Sequence, residues 1–262
     1  MEVELVKEVG RSRKMKKHTG RAPQCTSCNV KEKICIRADG HGPDFCPTLN
    51  FRDVIEESLK EYQKPEMREF ARLASIQEGE CYANRGLKDA YPFPIKTRVQ
   101  ETIEFSHKLG FRRLGIAFCG GLSSEAKILA DILKDQGFEV ASVQCKLGRT
   151  PKEFLGLREE EKIAIGRFEA MCSPITQAMV LNAAGTDFNI IIGLCVGHDS
   201  LFMRYSEALC TVLVTKDRVT GHNPAAALYV HNSYYRRLRR ERFGRGGALE
   251  VARKTDSGNL GL

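Results

Sequence analysis

Apolar residues in this chain change their rhythm near residue 94. From there onward short apolar runs alternate with stretches whose apolar positions recur every three or four residues, the pattern of strands alternating with helices. The spacing predicts a helix over 95–109 stopped by Gly110, a strand over 114–119, a helix over 124–136 ending at Gly137, and a strand over 138–145. A charged stretch follows, with Arg158 to Lys162 at its centre. Then come a helix from Pro174 to Ala184 stopped by Gly185, a strand over 188–195, a short helix from Ser200, a strand over 211–215 and a last helix capped by Asn223 with Pro224 in its first turn. The run Ile190-Ile-Ile192 has no polar alternation, as expected of a strand buried on both faces in a parallel sheet. Together these elements predict a three-layer, Rossmann-like α/β domain over 95–243 with a mostly parallel sheet.

Upstream the pattern differs. Residues 51–94 read as a helical linker region: Asn50 is placed to cap a helix from Phe51, and Pro65 to open a second one with Met67, Phe70, Ala71 and Ala74 on one face. Tyr91-Pro-Phe-Pro94 then breaks regular structure. Residues 1–50 show no sustained period and are polar, basic and rich in Gly, Pro and Cys. A segment with so little apolar material must fold around something else. The tail 244–262 is Gly-rich and polar.

Ten cysteines in 262 residues change the picture. The amino terminus lacks the basic-then-apolar pattern of a secretory signal and no apolar run reaches membrane-spanning length, so the expected location is the cytoplasm, with no membrane partner. In that reducing compartment clustered cysteines point to metal ligands or redox thiols, not to disulfides. Cys25 and Cys28 form a CxxC pair, with Cys35 six residues further on and Cys46, followed by Pro47, ten beyond that. Four thiolates this close can surround one metal centre whose binding replaces the missing core. Having one CxxC pair and a terminal Cys-Pro favours a 4Fe-4S cluster over zinc, which remains the alternative.

Three more cysteines, Cys119, Cys145 and Cys195, each end a predicted strand. In a parallel sheet the strands' carboxyl ends share one edge, so these thiols are expected to converge there. Cys172 joins them from the start of the helix at Pro174, where Ser173 is the expected cap. Helix amino termini near these thiols lower their pKa and favour thiolates or a cluster. His198 is a candidate proton donor or extra ligand beside the centre, with Asp199 either orienting its ring or capping the next helix. His222 lies past the last strand and has a similar claim. Gly120, Gly121 and Ser123 form a glycine-rich strand-to-helix turn able to receive an anionic cofactor on backbone N–H groups. Neither a Walker lysine nor G-x-G-x-x-G accompanies it, which argues against nucleotide. Cys81 stands alone and reads as a structural or surface thiol.

The formal net charge is +8, from 41 Lys and Arg against 33 Asp and Glu, with basic blocks at 11–18 and 236–242. These blocks suit a partner protein with an acidic surface, or a redox partner. No aromatic-interleaved RNA-binding signature or paired-histidine finger is present, so nucleic acid is not the expected partner.

The phrases Leu114-Gly-Ile-Ala-Phe-Cys119, Met171-Cys-Ser-Pro-Ile-Thr-Gln177, Ala184-Gly-Thr-Asp-Phe188, Gly193-Leu-Cys-Val-Gly-His-Asp-Ser-Leu201, Lys216-Asp-Arg-Val219 and Gly221-His-Asn-Pro224 carry a resemblance. The segment from about Arg113 to Leu228 resembles an uncharacterised family of predicted metal-binding proteins, domain-of-unknown-function family 1847. Cys145 and the amino-terminal quartet also look like that family's cysteine-rich pattern. The resemblance implies an α/β domain and metal binding and transfers no activity. The reading that follows is an iron–sulfur protein with a relay cluster in the amino-terminal module and a second cluster at the sheet edge, acting as an oxidoreductase or as a cluster-carrying subunit of a larger complex. A zinc-dependent regulator on nucleic acid is the remaining alternative.

Overall fold

A computed structural model describes residues 20–240. The basic block at 11–18, the end of the one at 236–242 and the tail 244–262 lie outside the described residues. Helices α1 (Pro47–Asn50), α2 (Arg52–Tyr62) and α3 (Pro65–Glu80) lead into a two-stranded antiparallel ribbon, β1 (Tyr82–Ala83) with β2 (Phe93–Pro94). Then follow α4 (Arg98–Lys108), β3 (Arg113–Phe118), α5 (Ser123–Asp135), β4 (Glu139–Gln144), α6 (Pro174–Ala183), β5 (Phe188–Ile192), α7 (His198–Tyr205), β6 (Leu209–Val214), α8 (Ala225–Tyr229) and α9 (Arg237–Arg240). No helix among the described residues is long and apolar enough to cross a membrane.

The four later strands form one parallel sheet in the order β4-β3-β5-β6. Alternate residues along each strand serve two separate apolar layers. Leu114, Ile116, Phe188, Ile190 and Ile192 pack with Leu122, Leu129 and Leu133, and with Val99 and Ile103 of α4. Ala117 and Ile191 face the other way, against Ala178 and Leu181 of α6 and Phe202 of α7. The three isoleucines of β5 are each at most 1% exposed. At about 1.5–3 kcal/mol for each fully buried aliphatic side chain, they anchor β5 to both apolar layers. The three-layer α/β domain read from the sequence is therefore the fold.

The boundaries shift where local chemistry differs from the reading. Helix α4 begins at Arg98, not Ile95, because Thr97 caps it, its hydroxyl accepting the Gln100 N–H at 3.3 Å. Asn50 does not cap α2: it closes α1, and its side-chain amide donates to the Asp44 carbonyl at 2.6 Å. Pro224 stands at the cap position of α8, not in its first turn. Strand β5 stops at Ile192, short of Cys195, because Gly193 turns the chain with φ of +63°.

One polar tie runs through the sheet. Asn189, fully buried in β5, accepts from the Thr186 hydroxyl at 2.9 Å and donates to the Ser206 hydroxyl at 2.8 Å, joining the strand to the end of α7. Gly115 beside it must be glycine, since a Cβ there would stand 1.9 Å from the Asn189 carbonyl oxygen.

The crossover between β4 and α6 is a lobe without long elements, held by ion pairs. Pro151 bridges Ala170. Lys162, 7% exposed, meets Glu153 at 2.7 Å, Glu159 at 2.8 Å and the Arg167 carbonyl at 2.9 Å. Glu169 accepts the N–H groups of Ile163 and Ala164 and pairs with Lys152 at 2.7 Å. The Ala164 N–H and Lys152, in that order, bring its carboxyl down to about 2. A depressed carboxyl contributes stability that is complete above the ordinary carboxyl range and is lost as pH falls from about 4.5 toward 2. Thermal melts of Glu169→Gln over that window are expected to show a shallower acid limb than the parent. Parallel limbs would contradict the assignment.

Candidate thiol centre at the carboxyl edge of the sheet

The lobe brings together two cysteines far apart in sequence. Cys145 follows β4 and Cys172 precedes α6, and the Ser173 N–H donates to the Cys145 carbonyl at 2.8 Å. The Lys146 ammonium binds the Ala170 carbonyl across the same neck. Cys145, 3% exposed, donates its thiol proton to the Cys172 sulfur. That bond, a second one from His198 and the nearby Lys146 charge hold the Cys172 thiol well below the usual range, while the same contact and burial push Cys145 up. Cys172 is thus the anionic member of the pair.

Cys119 arrives from the end of β3, its N–H bound to the Ile192 carbonyl at 3.1 Å, and lies close enough to Cys145 for its charge to be felt there. The Gly120 N–H points at the Cys145 sulfur at 3.5 Å. Cys195 enters from the loop after β5. Two cations from the loop after β6 complete the surroundings: Lys216 donates to the Cys119 sulfur at 3.4 Å and Arg218 to the Cys195 sulfur at 3.1 Å. Arg218 also feels the Cys119 and Cys172 thiols.

The site lies beyond the carboxyl ends of β3 and β5, where the chain's path through the sheet reverses direction, the place where open parallel sheets bind ligands. Helices α5, α6 and α7 all start here, and the cap residues of α5 and α6 make no side-chain bond to their helices. Ser173, at the cap position of α6 and 3% exposed, leaves its hydroxyl without a partner, and Gln177 in the same turn leaves its Oε1 unpaired. Gln177 uses its amide to bridge the ends of β3 and β4, through the carbonyls of Phe118 and Val143. Open helix ends, three cations and an unpartnered buried hydroxyl suit a bound anion.

The other expected residues fall as follows. His198 is the first residue of α7 and reaches Cys172, as expected of a group beside the centre. Asp199 does not hold its ring, since Oδ1 accepts the N–H groups of Gly197 and Ser200 in the first turn of α7. His222, with φ of +66°, accepts the Asp217 N–H and closes the 217–222 turn. Gly121 faces the Lys216 ammonium, and Ser123 opens α5. Cys81 is structural: buried, it donates to the Gln77 carbonyl at 3.0 Å.

In the amino-terminal module Cys25 starts a short 3-10 turn that ends at Cys28, Cys35 lies in an exposed loop closed by the Lys33–His41 bridge, and Cys46 is buried at the start of α1. Gly40 must be glycine for that loop to close, since a Cβ would stand 2.5 Å from the Lys33 backbone. Among the described residues no three His, Cys, Asp or Glu side chains form a group positioned to hold a single metal ion, in this module or at the sheet edge.

The sequence reading did not select Lys216 and Arg218. They lie within four residues of the end of β6, so the same edge argument places them here.

The model of a family described as a protein of unknown function, DUF1847, matches residues 46–213. That span contains Cys119, Cys145, Cys172, Cys195 and His198; Cys25, Cys28, Cys35, Lys216 and Arg218 lie outside it. An uncharacterized protein of Methanocaldococcus jannaschii, MJ0455, is 42% identical over 212 residues, which cover 81% of this chain and 95% of the relative. No solved structure matches the chain. With the matched span running from the end of the cysteine-rich module through β6 and across all four thiols of the sheet edge, the chain belongs to the DUF1847 family.

Proposed function

We propose that this is an iron–sulfur redox protein with one cluster on Cys119, Cys145, Cys172 and Cys195 and a second, relay cluster on Cys25, Cys28, Cys35 and Cys46. The observation that carries the reading is the contact of Cys145 with Cys172 at the sheet edge, with Lys216 donating to the Cys119 sulfur and Arg218 to the Cys195 sulfur at the same edge. Thiolate sets of this kind select soft metals and iron–sulfur clusters. The surroundings fit such a group: a four-thiolate centre remains anionic, and Lys146, Lys216, Arg218 and the starts of α5, α6 and α7 offset that charge. The unpartnered Ser173 hydroxyl can donate to it. Bound there, a cluster supplies one-electron transfer. The chain's own contribution is to space the thiols on the loops at the sheet edge, to hold Cys172 as a thiolate, and to keep His198 beside it at the rim for a reacting molecule.

Arg218, bound to the Cys195 sulfur, is exposed, as are Val219 next to it in sequence and Val196 at 92%. This mixed basic and apolar rim suits an acidic redox partner. Removing a donor to a ligand sulfur makes a cluster harder to reduce. Lys216→Met is therefore expected to move the midpoint potential of one centre to more negative values while total iron stays unchanged. An unchanged potential at full iron content would remove Lys216 from this role. The reading itself stands or falls on iron and sulfide analysis of anaerobically purified protein.

A further inference from the structure

At the opposite, amino-terminal end of the strands a cavity of about 510 Å³ lies between α3, α4 and the open edge at β6. Its size is that of a small-molecule pocket. Three aromatic rings line one side in sequence: Phe70 meets Phe105 edge-on at 5.2 Å, and Phe105 meets Phe188 at 6.2 Å. Leu209 extends the apolar wall.

The charge on the lining runs against that of the chain. Glu78 comes from α3 and Glu101 from α4, and among the described residues neither forms an ion pair. The nearby lysines are engaged elsewhere, Lys96 with Glu104 at 2.5 Å and Lys108 with Glu80 at 2.8 Å. Arg98, the one cation on the lining, is bound to β6 through the Val212 carbonyl at 3.0 Å and the Thr211 hydroxyl at 2.9 Å. Glu101 has the Cys81 thiol as its neighbour, and burial keeps that thiol protonated and neutral. The place of Glu101 in the first turn of α4 suits the helix dipole, and Arg98, one turn before it in the same helix, commits its guanidinium to β6 and forms no ion pair with it among the described residues.

We propose that this cavity binds a small apolar molecule carrying a protonated amine, with its body on Phe70, Phe105, Phe188 and Leu209 and its ammonium at Glu101. The site is independent of the thiol centre and of the cluster proposed there. Its wall is a half-buried carboxylate beside aromatic faces, an arrangement that attracts an ammonium both by charge and by the ring quadrupoles.

Calorimetry on the full-length protein with 2-phenylethylamine tests the assignment, with 2-phenylethanol as the uncharged probe and 3-phenylpropanoate as the anionic one. The amine is expected to bind saturably and at least about tenfold more tightly than the alcohol, the factor that about 1.4 kcal/mol of charge recognition provides, and the acid not at all. Glu101→Gln should bring the amine to the level of the alcohol, and Leu209→Trp should block both. Because Leu209→Trp touches the core, Glu101→Gln at an unchanged melting temperature is the deciding variant. Absence of saturable amine binding, equal binding of the alcohol, or an unchanged amine affinity in Glu101→Gln would each overturn the proposal.

Discussion

Cys172→Ser is expected to lose the iron of the sheet-edge centre and to keep that of the amino-terminal module, so that total iron per chain falls by about half if both clusters are of one type. Cys172 stands between Cys145 and His198 and is the thiol most strongly held as an anion. A serine hydroxyl at that position does not ionise near neutral pH and is a poor ligand for a soft metal. Cys28→Ser should give the converse loss. The two sets are built on different segments, one on the loops of 25–46 and the other on strand ends and the neck of the lobe, so neither variant should empty both. Total loss from either substitution would mean one shared centre. Iron and sulfide counts on the two proteins, each checked for native secondary structure, separate these outcomes.

The largest effect on stability is expected at Gly193. Its φ of +63° disfavours any side chain, and a Cβ there would stand 2.0 Å from a methyl carbon of Leu122. A left-handed alanine costs on the order of 1 kcal/mol, and overpacking a filled core adds about 1–3 kcal/mol. Gly193→Ala should therefore lose about 3 kcal/mol, which for a chain of this size lowers the melting temperature by roughly 6–12 °C. Function should suffer as well, because Leu122 leads into α5 beside Cys119 and the Lys216 stem lies 3.6 Å from the same position. Gly137 provides the control. Its φ is +87°, but its Cβ would meet nothing within 4 Å, so Gly137→Ala should show only the backbone cost, about 1 kcal/mol. Equal losses from the two substitutions would show that the contact with Leu122 is not the cause.

Much of the α/β domain was legible because local signals agreed with one another. The unbroken Ile190-Ile-Ile192 run announced a strand buried on both faces, and Gly110, Gly137 and Gly185 each took the positive φ that ends a helix. The placement of Cys119 and Cys145 directly after β3 and β4 followed from the strand pattern, and parallel topology puts both on one edge; Cys195 lies three residues past the end of β5. Cys172 was reached through a proline and a cap position. Other features depended on tertiary partners. The order of the lobe rests on Lys162 and Glu169 meeting residues several positions away, and no periodicity announces that. Asn50 looked like a cap because the short helix from Pro47, which takes Asn50 as its last residue, has too few residues to show a period. Asp199 could be read from the sequence as a partner for His198 or as a helix cap, and the N–H groups at the start of α7 take its oxygen. The cavity at the amino ends of the strands arises from faces of α3, α4 and β6 that are each unexceptional in sequence.

Iron and acid-labile sulfide in the wild-type protein, purified without oxygen and without reconstitution, test the central claim most directly. The expected result is a brown protein carrying iron and sulfide in comparable amounts, with both falling in Cys172→Ser. A colourless protein carrying only stoichiometric zinc would contradict it.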